Sequence, residues 1–194
     1  MIPGAGILLM AAGLSRRYRQ QSGQHKLTAI PPGGNPSSLL ERNLALATAI
    51  AGSEVNVVLR PEDRPLIALA HRYRCAVTLL ESDGLGSSIA AGVATRPNWS
   101  AWVVMLADMP DLQQNTVRRV FQALRYAETV RPVWQHRPGH PVGFGRTLRD
   151  PLLALSGEDG ARSLLLRWPP LQISVNDPGC VRDIDVPSDW QKEF

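Results

Sequence analysis

The feature that most constrains the fold is the amino-terminal stretch of residues 4–26, GAGILLMAAGLSRRYRQQSGQHK. Its apolar run, residues 7–10, is short enough for a buried strand and breaks at Ala11, Ala12 and Gly13. Small residues at such a break let a loop backbone approach a ligand closely, as in glycine-rich phosphate loops. Two interpretations follow: a strand leading into a phosphate-binding loop, or a buried strand followed by a solvated basic loop.

The residues after Gly13 favour the first interpretation. Ser15, Arg16 and Arg17 add a hydroxyl and two planar cations suited to phosphate oxygens. Lys26 is one of only two lysines, whereas the other basic residues are all arginine. A compact ammonium on a flexible stem is how lysine usually binds phosphate. Residues 18–25 show no apolar periodicity, so we expect an exposed, mobile loop that draws in Lys26 when nucleotide binds.

The size and charge of the chain narrow its functional class. At 194 residues it has the length of one domain, so we expect a single domain over residues 1–194. The net charge is +4 and the pI is about 9.6, but the basic residues are spread along the chain with one tight cluster at 16–19. We therefore expect small polyanionic substrates and no nucleic-acid partner. Nucleic-acid binding is the alternative for a basic chain.

Cysteine spacing and hydropathy indicate a cytoplasmic protein. Cys75 and Cys180 lie far apart without CxxC or zinc spacing, which favours a reduced compartment over a disulfide scaffold. No apolar run approaches the roughly 20 residues of a membrane span, so we expect no membrane partner. The start, MIPGAG, lacks the basic region of a signal peptide.

Strand-like and helix-like segments alternate along most of the chain. Strands are predicted at 54–59, 75–80, 102–106, 130–135 and 171–175. Helices are predicted from the Ser38–Glu41 capping box to 51, at 64–73, from 84 to 94, at 116–126, at 146–155 with a break near Pro151, and before Pro169. Ser188 is expected to cap a short last helix. This alternation predicts right-handed β-α-β units and an α/β fold with a mostly parallel sheet.

Two further motifs lie at predicted strand ends or helix starts. A predicted helix begins with two glycines and two serines, Gly84, Gly86, Ser87 and Ser88. Free backbone N–H groups at such a helix start suit anions or ribose oxygens. The alternative is an ordinary capped helix without a ligand. Asp108 follows the apolar run 102–106 and should emerge at the carboxyl edge of the sheet, where a carboxylate suits Mg²⁺ and phosphate. A turn-capping aspartate is its alternative, and without a metal we expect Asp108 to be an uncompensated charge.

The last motifs lie in the carboxyl-terminal third. Gly139, His140 and Pro141 belong to a shaped loop at 137–145 that makes the histidine available to a substrate, although a lone histidine is often structural. A further loop at 156–162 leads into a helix. Asp183 and Asp185 offer two more carboxylates.

Taken in order, these motifs resemble those of the molybdenum cofactor cytidylyltransferase group of nucleotidyltransferases. The resemblance spans residues 7–190 and rests on six motifs: MAAGLSRR with Lys26, GLGSSIAAGV at 84–93, ADMP at 107–110, GHPVGFGR at 139–146, LSGEDGAR at 155–162 and DIDVP at 183–187. It implies a three-layer α-β-α Rossmann-like fold. The implied reaction transfers CMP from CTP to the terminal phosphate of molybdopterin or its molybdenum form, with release of pyrophosphate.

The resemblance also assigns roles to residues. Arg17, Lys26 and Asp108 would be catalytic, and Asp108 with Asp185 would bind Mg²⁺. The nucleotide would contact Ala11, Ala12, Gly13, Ser15, Arg16, Gly84, Gly86, Ser87 and Ser88, and the acceptor would contact Gly139, His140 and Pro141. A client molybdoenzyme would be a further partner. An AAG start is commoner among cytidylyltransferases and an AGG start among guanylyltransferases, so Ala12 favours CTP.

Two departures from the family pattern leave alternatives open. The spacer before Lys26 is longer by a few residues, and Asn35 stands where a lysine or similar group is common. Transfer of GMP, transfer of CMP to another phosphorylated acceptor, and a nucleotide or cofactor carrier without turnover are the alternatives.

Overall fold

The computed structural model describes residues 2–32 and 36–191 and contains one eight-stranded sheet. The strands are β1 Ala5–Met10, β2 Val55–Leu59, β3 Ala76–Leu79, β4 Ala101–Leu106, β5 Thr129–Trp134, β6 Arg137–Pro138, β7 Val142–Gly145 and β8 Leu171–Ser174. Their order is β3-β2-β1-β4-β7-β5-β6, and β8 pairs with β5. The pairs β1–β2, β1–β4, β2–β3 and β5–β8 are parallel, and the antiparallel pairs all involve β6 or β7, which confirms a mostly parallel α/β sheet.

Helices cover both faces of this sheet. They are α1 Arg16–Ser22, α2 Leu39–Ala51, α3 Arg64–Arg72, α4 Leu85–Ala94, α5 Gln114–Ala123, α6 Arg149–Leu153 and α7 Arg162–Arg167. Ser38 Oγ accepts a hydrogen bond from Glu41 N (3.3 Å), so the predicted cap of α2 is present. Within the described ranges, no helix combines the length and apolar content needed to cross a bilayer.

Alternate residues of β1 belong to different cores. Ile7 and Leu9 pack in a cluster that includes Leu44 of α2 and Phe121 of α5. Leu8 packs on the other face in a cluster that draws on α4, α6 and α7. A strand buried on both faces reads as a continuous apolar run, which explains why β1 was recognisable without alternation. The helix, sheet, helix layering confirms the three-layer prediction.

The segment of residues 18–25 is exposed at 19–24 as expected, but most of it is helical rather than a loop. Residues 16–22 form α1, and Gly23 ends it in the left-handed region with φ 74°. Tyr18 is only 3% exposed, and its hydroxyl accepts a hydrogen bond from Trp190 Nε1 (2.9 Å). A seven-residue helix with one buried residue has no repeating pattern of apolar residues, so α1 could not be predicted from the sequence.

Three other local expectations need correction. The predicted loop at 137–145 contains β6 and β7, and a Cβ at Gly143 would crowd Leu124 and Val120, so close packing explains this glycine in a strand. Pro151 lies in the first turn of α6 rather than breaking a helix, because proline is tolerated there. Asp189 rather than Ser188 accepts the backbone N–H groups near the last helical turn. Asn35 lies outside the described residues.

Candidate active site

A cavity of about 770 Å³ opens at the carboxyl ends of β1, β2 and β4, where open α/β sheets bind ligands. Its walls come from the loop after β1, the residue after β2, the start of α4, a loop after α6, and the acidic segments after β4 and β8. Of the residues chosen from sequence, the lining contains Ala11, Ala12, Gly13, Ser15, Arg16, Arg17, Lys26, Gly84, Ser88, Asp108 and Asp185. Gly86, Ser87, Gly139, His140 and Pro141 lie outside it.

A lysine and two aspartates form an ion-pair cluster in the cavity wall. Lys26 Nζ lies 2.7 Å from Asp108 Oδ2 and 3.2 Å from Asp185 Oδ1, and Arg17 Nη2 lies 2.8 Å from Asp185 Oδ2. Burial alone would lower the pKa of Lys26, but the two carboxylates outweigh burial and raise it. Lys26 therefore stays charged, and Asp108 is not the uncompensated carboxylate that the sequence suggested.

The carboxylates beside Lys26 fit a divalent cation. Ligand oxygens of Asp108, Asp183 and Asp185 all lie within 4.8 Å of one another. Asp108 Oδ1 is buried and has no hydrogen-bond partner among the described residues. Burial first, and then the charges of Asp108 and Asp185, raise the pKa of Asp183, as expected for carboxylates gathered without enough positive charge. Hard oxygen ligands of this kind suit Mg²⁺ or Mn²⁺.

Asp183 is a candidate ligand beyond Asp108 and Asp185, the two that were predicted to bind the metal. The sequence pattern that indicates Asp183 is an aspartate on each side of an apolar residue: Asp183 and Asp185 flank Ile184, which is fully buried. When the middle residue of such a triplet points into the core, both flanking side chains can point away from it.

Backbone contacts hold the acidic segments together. Ile184 N donates to Asp108 O (3.0 Å), which joins the segment after β8 to the end of β4. Asp189 Oδ2 accepts hydrogen bonds from the backbone N–H groups of Asp185 and Val186, both at 2.8 Å. The positions of the two predicted metal ligands are therefore linked through main-chain groups as well as through Lys26.

The loop after β1 is fastened to the segment that carries Lys26. Ser15 adopts φ 55° and its Oγ accepts from Lys26 N (2.8 Å), which leaves the hydroxyl hydrogen free for a ligand. Leu27 N donates to His25 Nδ1 (3.1 Å), so His25 Nε2 carries the proton and donates to Gly13 O (3.2 Å). Burial, the largest influence, lowers the pKa of His25 and keeps it neutral. The longer spacer therefore does not detach Lys26, because α1 takes up its length.

Arg60 is a lining residue that sequence reasoning missed. Its Nε donates to Ala12 O (3.0 Å) and its Nη2 donates to Ser82 O, so it ties the first loop to the segment before α4. An arginine directly after a strand that ends at the ligand edge was the available signal. Arg16 also lines the cavity, and no other described residue pairs with it, so it is free to meet an anion.

The start of α4 is fastened to the loop of residues 156–160, which we call the 156–160 loop. Gly86 N donates to Gly157 O (2.9 Å), and Gly157 N donates to Ser87 Oγ (3.2 Å). A Cβ on Gly84 or Gly86 would lie closer to that loop's backbone than real Cβ atoms come. These glycines therefore permit the contact between the two segments. The hydroxyl of Ser88 bonds Gly84 O (3.1 Å) and Ser82 Oγ (2.7 Å).

The predicted acceptor loop lies beside the cluster and packs against the segment before Asp183. His140 N donates to Cys180 O (2.8 Å), and a Cβ on Gly139 would collide with Cys180. His140 bonds the backbone of Val104 through its ring, and its Nδ1 is buried without a partner among the described residues. Burial and the charge of Arg131 lower the pKa of His140 to about 4, although Asp108 acts in the opposite direction.

The low pKa of His140 predicts a pH-dependent stability. Unfolded histidine binds a proton near pH 6.5, whereas folded His140 does so only near pH 4, so the free energy of unfolding should fall between these values as pH decreases. The contribution is at most roughly 3 kcal/mol. Urea unfolding of the native protein and of His140→Asn at several pH values measures it. The difference between the two should shrink as pH falls from 6.5 to 4; a constant difference would contradict the burial of a neutral imidazole.

Comparison with known proteins assigns the chain to a family. Residues 7–171 match the family model described as the MobA-like NTP transferase domain. Nicotine blue oxidoreductase from Paenarthrobacter nicotinovorans is 30% identical over 193 residues, covering 92% of this chain and 91% of that protein. The bifunctional protein GlmU from Clavibacter sepedonicus is 26% identical over 166 residues, or 82% of this chain, which spans only 31% of GlmU.

Solved structures share the fold. Rv0371c from Mycobacterium tuberculosis superposes with a TM-score of 0.81 at 24% identity, covering 97% of this chain and 95% of that one, and a manganese complex of Rv0371c superposes with a TM-score of 0.76. Molybdopterin-guanine dinucleotide biosynthesis protein A from Archaeoglobus fulgidus gives 0.69 at 19% identity, covering 96% and 95%. Since the family model spans most of the chain, this protein belongs to the MobA-like NTP transferase family.

Proposed function

We propose that this protein transfers CMP from CTP to the terminal phosphate of molybdopterin or its molybdenum form and releases pyrophosphate. The observation that carries the proposal is the cluster of Lys26, Asp108 and Asp185 on the wall of a cavity bounded by the loop after β1. Cations and candidate metal ligands placed together in a concave site suit the transfer of a group between polyanions.

The proposed reaction needs no general base. An oxygen of the acceptor phosphate forms a bond to the α-phosphorus of CTP, and the bond from that phosphorus to the oxygen bridging the β-phosphate breaks, so pyrophosphate leaves with the electron pair. A phosphate monoester has a second pKa near 6 and is largely a dianion at neutral pH. The protein's task is to align two polyanions and to neutralise charge on the phosphate oxygens.

The cavity residues divide this task between them. Arg16 lacks a described protein partner and is available to the triphosphate, while Ser15 offers its hydroxyl hydrogen. Lys26 and Arg17 are held by carboxylates and can exchange a carboxylate oxygen for a phosphate oxygen. Asp108 and Asp185, with Asp183 beside them, would hold Mg²⁺, which when bound supplies further neutralisation of phosphate charge.

The choice of CTP rests on Ala12, which lines the cavity where guanylyltransferases more often carry glycine. A methyl group there leaves less room for a purine, and a pocket fitted to cytosine leaves polar groups unpaired with other bases. The molybdopterin acceptor rests on the resemblance of the ordered motifs and on the fold shared with the Archaeoglobus fulgidus protein. For that acceptor, Gly139, His140 and Pro141 remain the proposed binding loop.

A product assay tests the proposal. Molybdopterin or its molybdenum form is offered with CTP, GTP or ATP and Mg²⁺, while pyrophosphate and the dinucleotide product are measured. We expect kcat/KM for CTP to exceed that for GTP by about tenfold or more, and a chelator to abolish turnover. Preference for GTP would overturn the nucleotide assignment alone. Binding of nucleotide without pyrophosphate release would favour a carrier.

A second candidate is suggested by the 30% identity to nicotine blue oxidoreductase across 92% of the chain. An oxidoreductase on this scaffold would consume a reductant and release no pyrophosphate. The two cysteines give it no support, since burial raises the pKa of each thiol to about 11 and neither lines the cavity. Adding a nicotinamide dinucleotide and following its absorbance in the same assay separates the two activities.

A further inference from the structure

We propose that Glu158 accepts a hydrogen bond from a donor group on the nucleoside half of the substrate, so that the 156–160 loop selects the nucleotide. This inference rests on the proposed nucleotide transfer and names a residue of that site which discriminates between nucleosides. The 156–160 loop lies about fifty residues beyond Asp108 in sequence, and Glu158 was not among the binding residues predicted from sequence.

The first support is where the 156–160 loop is held. Gly86 N donates to Gly157 O, and Gly157 N donates to Ser87 Oγ, so the residue preceding Glu158 is bonded in both directions to the first turn of α4. The absent side chain of Gly84 is what allows this approach. Because two hydrogen bonds hold the preceding residue on the helix end, the backbone of Glu158 has a defined position from which its side chain can recognise a ligand.

The second support is the charge distribution along the cavity. Three of the four basic lining residues, Arg16, Arg17 and Lys26, belong to one segment, and the fourth, Arg60, is held by Ala12 O and Ser82 O, whereas Asp83 and Glu158 flank the start of α4. Within residues 2–32 and 36–191, neither of these two carboxylates has an ion-pair or hydrogen-bond partner. Asp108 and Asp185 lie beside the first group but are paired with Lys26 and Arg17, so a triphosphate is attracted to that end of the cavity, and above all to Arg16, and is repelled by the unpaired carboxylates of Asp83 and Glu158. The nucleotide therefore enters with its phosphates toward Lys26 and its nucleoside toward Glu158.

The third support is the chemistry of the carboxylate. An ionised glutamate has no hydrogen to donate and can only accept hydrogen bonds. Two donors of CTP would let Glu158 discriminate between nucleosides, namely the exocyclic amino group of cytosine and the ribose 2′-hydroxyl. Glu158 is exposed without ligand, so a nucleoside that covers it but lacks the donor costs the carboxylate its water and gives no hydrogen bond in return. Uracil carries an oxygen in place of the cytosine amino group, and deoxyribose lacks the 2′-hydroxyl.

Nucleotide binding without acceptor tests the inference independently of turnover. Dissociation constants of CTP, UTP and dCTP with Mg²⁺ are measured by calorimetry for the native protein, Glu158→Ala and Glu158→Gln. Asp159→Asn is the matched control, because it removes a neighbouring exposed carboxylate of the same loop that lies outside the cavity lining. We expect Glu158→Ala to weaken CTP binding by about tenfold to a hundredfold, Glu158→Gln to weaken it less, and Asp159→Asn to change it less than about twofold.

The pattern across nucleotides identifies the donor. Weaker binding of CTP and dCTP by Glu158→Ala with unchanged UTP binding would assign the base amino group. Weaker binding of CTP and UTP with unchanged dCTP binding would assign the ribose 2′-hydroxyl. Equal effects on all three nucleotides, no effect on any, or an equal effect of Asp159→Asn would each overturn the inference. If the native protein binds and transfers CMP while Glu158 variants behave normally, only the inference fails; if it binds no nucleotide, the proposed function fails with it.

Discussion

Replacing Asp108 with asparagine is expected to lower nucleotide transfer by roughly a thousandfold or more while the protein stays folded. Asparagine keeps the volume but removes the negative charge that a divalent cation requires of a hard oxygen ligand. If the cation neutralises phosphate charge in the transition state, its loss removes several kcal/mol of stabilisation. The rate of pyrophosphate release from CTP by purified Asp108→Asn measures the effect.

Asp108→Asn is also expected to be less stable than the native protein, because Asp108 is not the uncompensated charge expected from the sequence. Asp108 is 2.7 Å from Lys26 Nζ, so the substitution removes an ion pair rather than relieving repulsion, and we expect a loss of about 1 to 2 kcal/mol. A turn-capping aspartate would lose about as much, so turnover rather than melting temperature distinguishes the two roles. Asp111→Asn is the control, because Asp111 pairs with Arg182 outside the cavity lining. Normal turnover in Asp108→Asn would remove Asp108 from the active site.

Replacing Lys26 with methionine is expected to reduce transfer by about a hundredfold or more and also to destabilise the protein. The ammonium separates two carboxylates, and its removal leaves Asp108 and Asp185 facing each other with Arg17 as the remaining cation paired with them in the described part of the chain. We expect the free energy of unfolding to fall by about 2 to 4 kcal/mol in metal-free buffer. Chemical unfolding and pyrophosphate release measure the two effects.

Added metal provides an internal check on Lys26→Met. Because Lys26 neutralises the carboxylates that a cation would bind, Mg²⁺ or Mn²⁺ should raise the melting temperature of Lys26→Met more than that of the native protein. Arg19→Met is the control, since its ion pair with Asp63 spans 3.3 Å and Arg19 is half exposed, so it should lose less than about 1 kcal/mol. An equal thermal response of Lys26→Met and the native protein to metal would contradict a shared site for Lys26 and the cation.

The sequence by itself determined the alternation of strands and helices and most of the site's composition. The apolar runs of β1 and β4 are continuous because both faces of those strands are buried, and such runs are visible without any partner. Ser38 and Glu41 marked the start of α2 through a local hydrogen bond. Asp108 and the loop after β1 could be placed at one edge because parallel strands end together.

Only the tertiary structure decided how those groups are paired and which others join them. Lys26 meets Asp108 and Asp185 across 82 and 159 residues of chain, and no local pattern specifies such distances. Short elements were also invisible: α1 buries a single tyrosine, and β7 is a four-residue strand whose glycines resemble a loop until α5 packs on it. Local propensity and periodicity fix elements that are long enough to repeat a pattern. Contacts between distant segments determine which charged side chains pair, where the loops lie and what shape the cavity has.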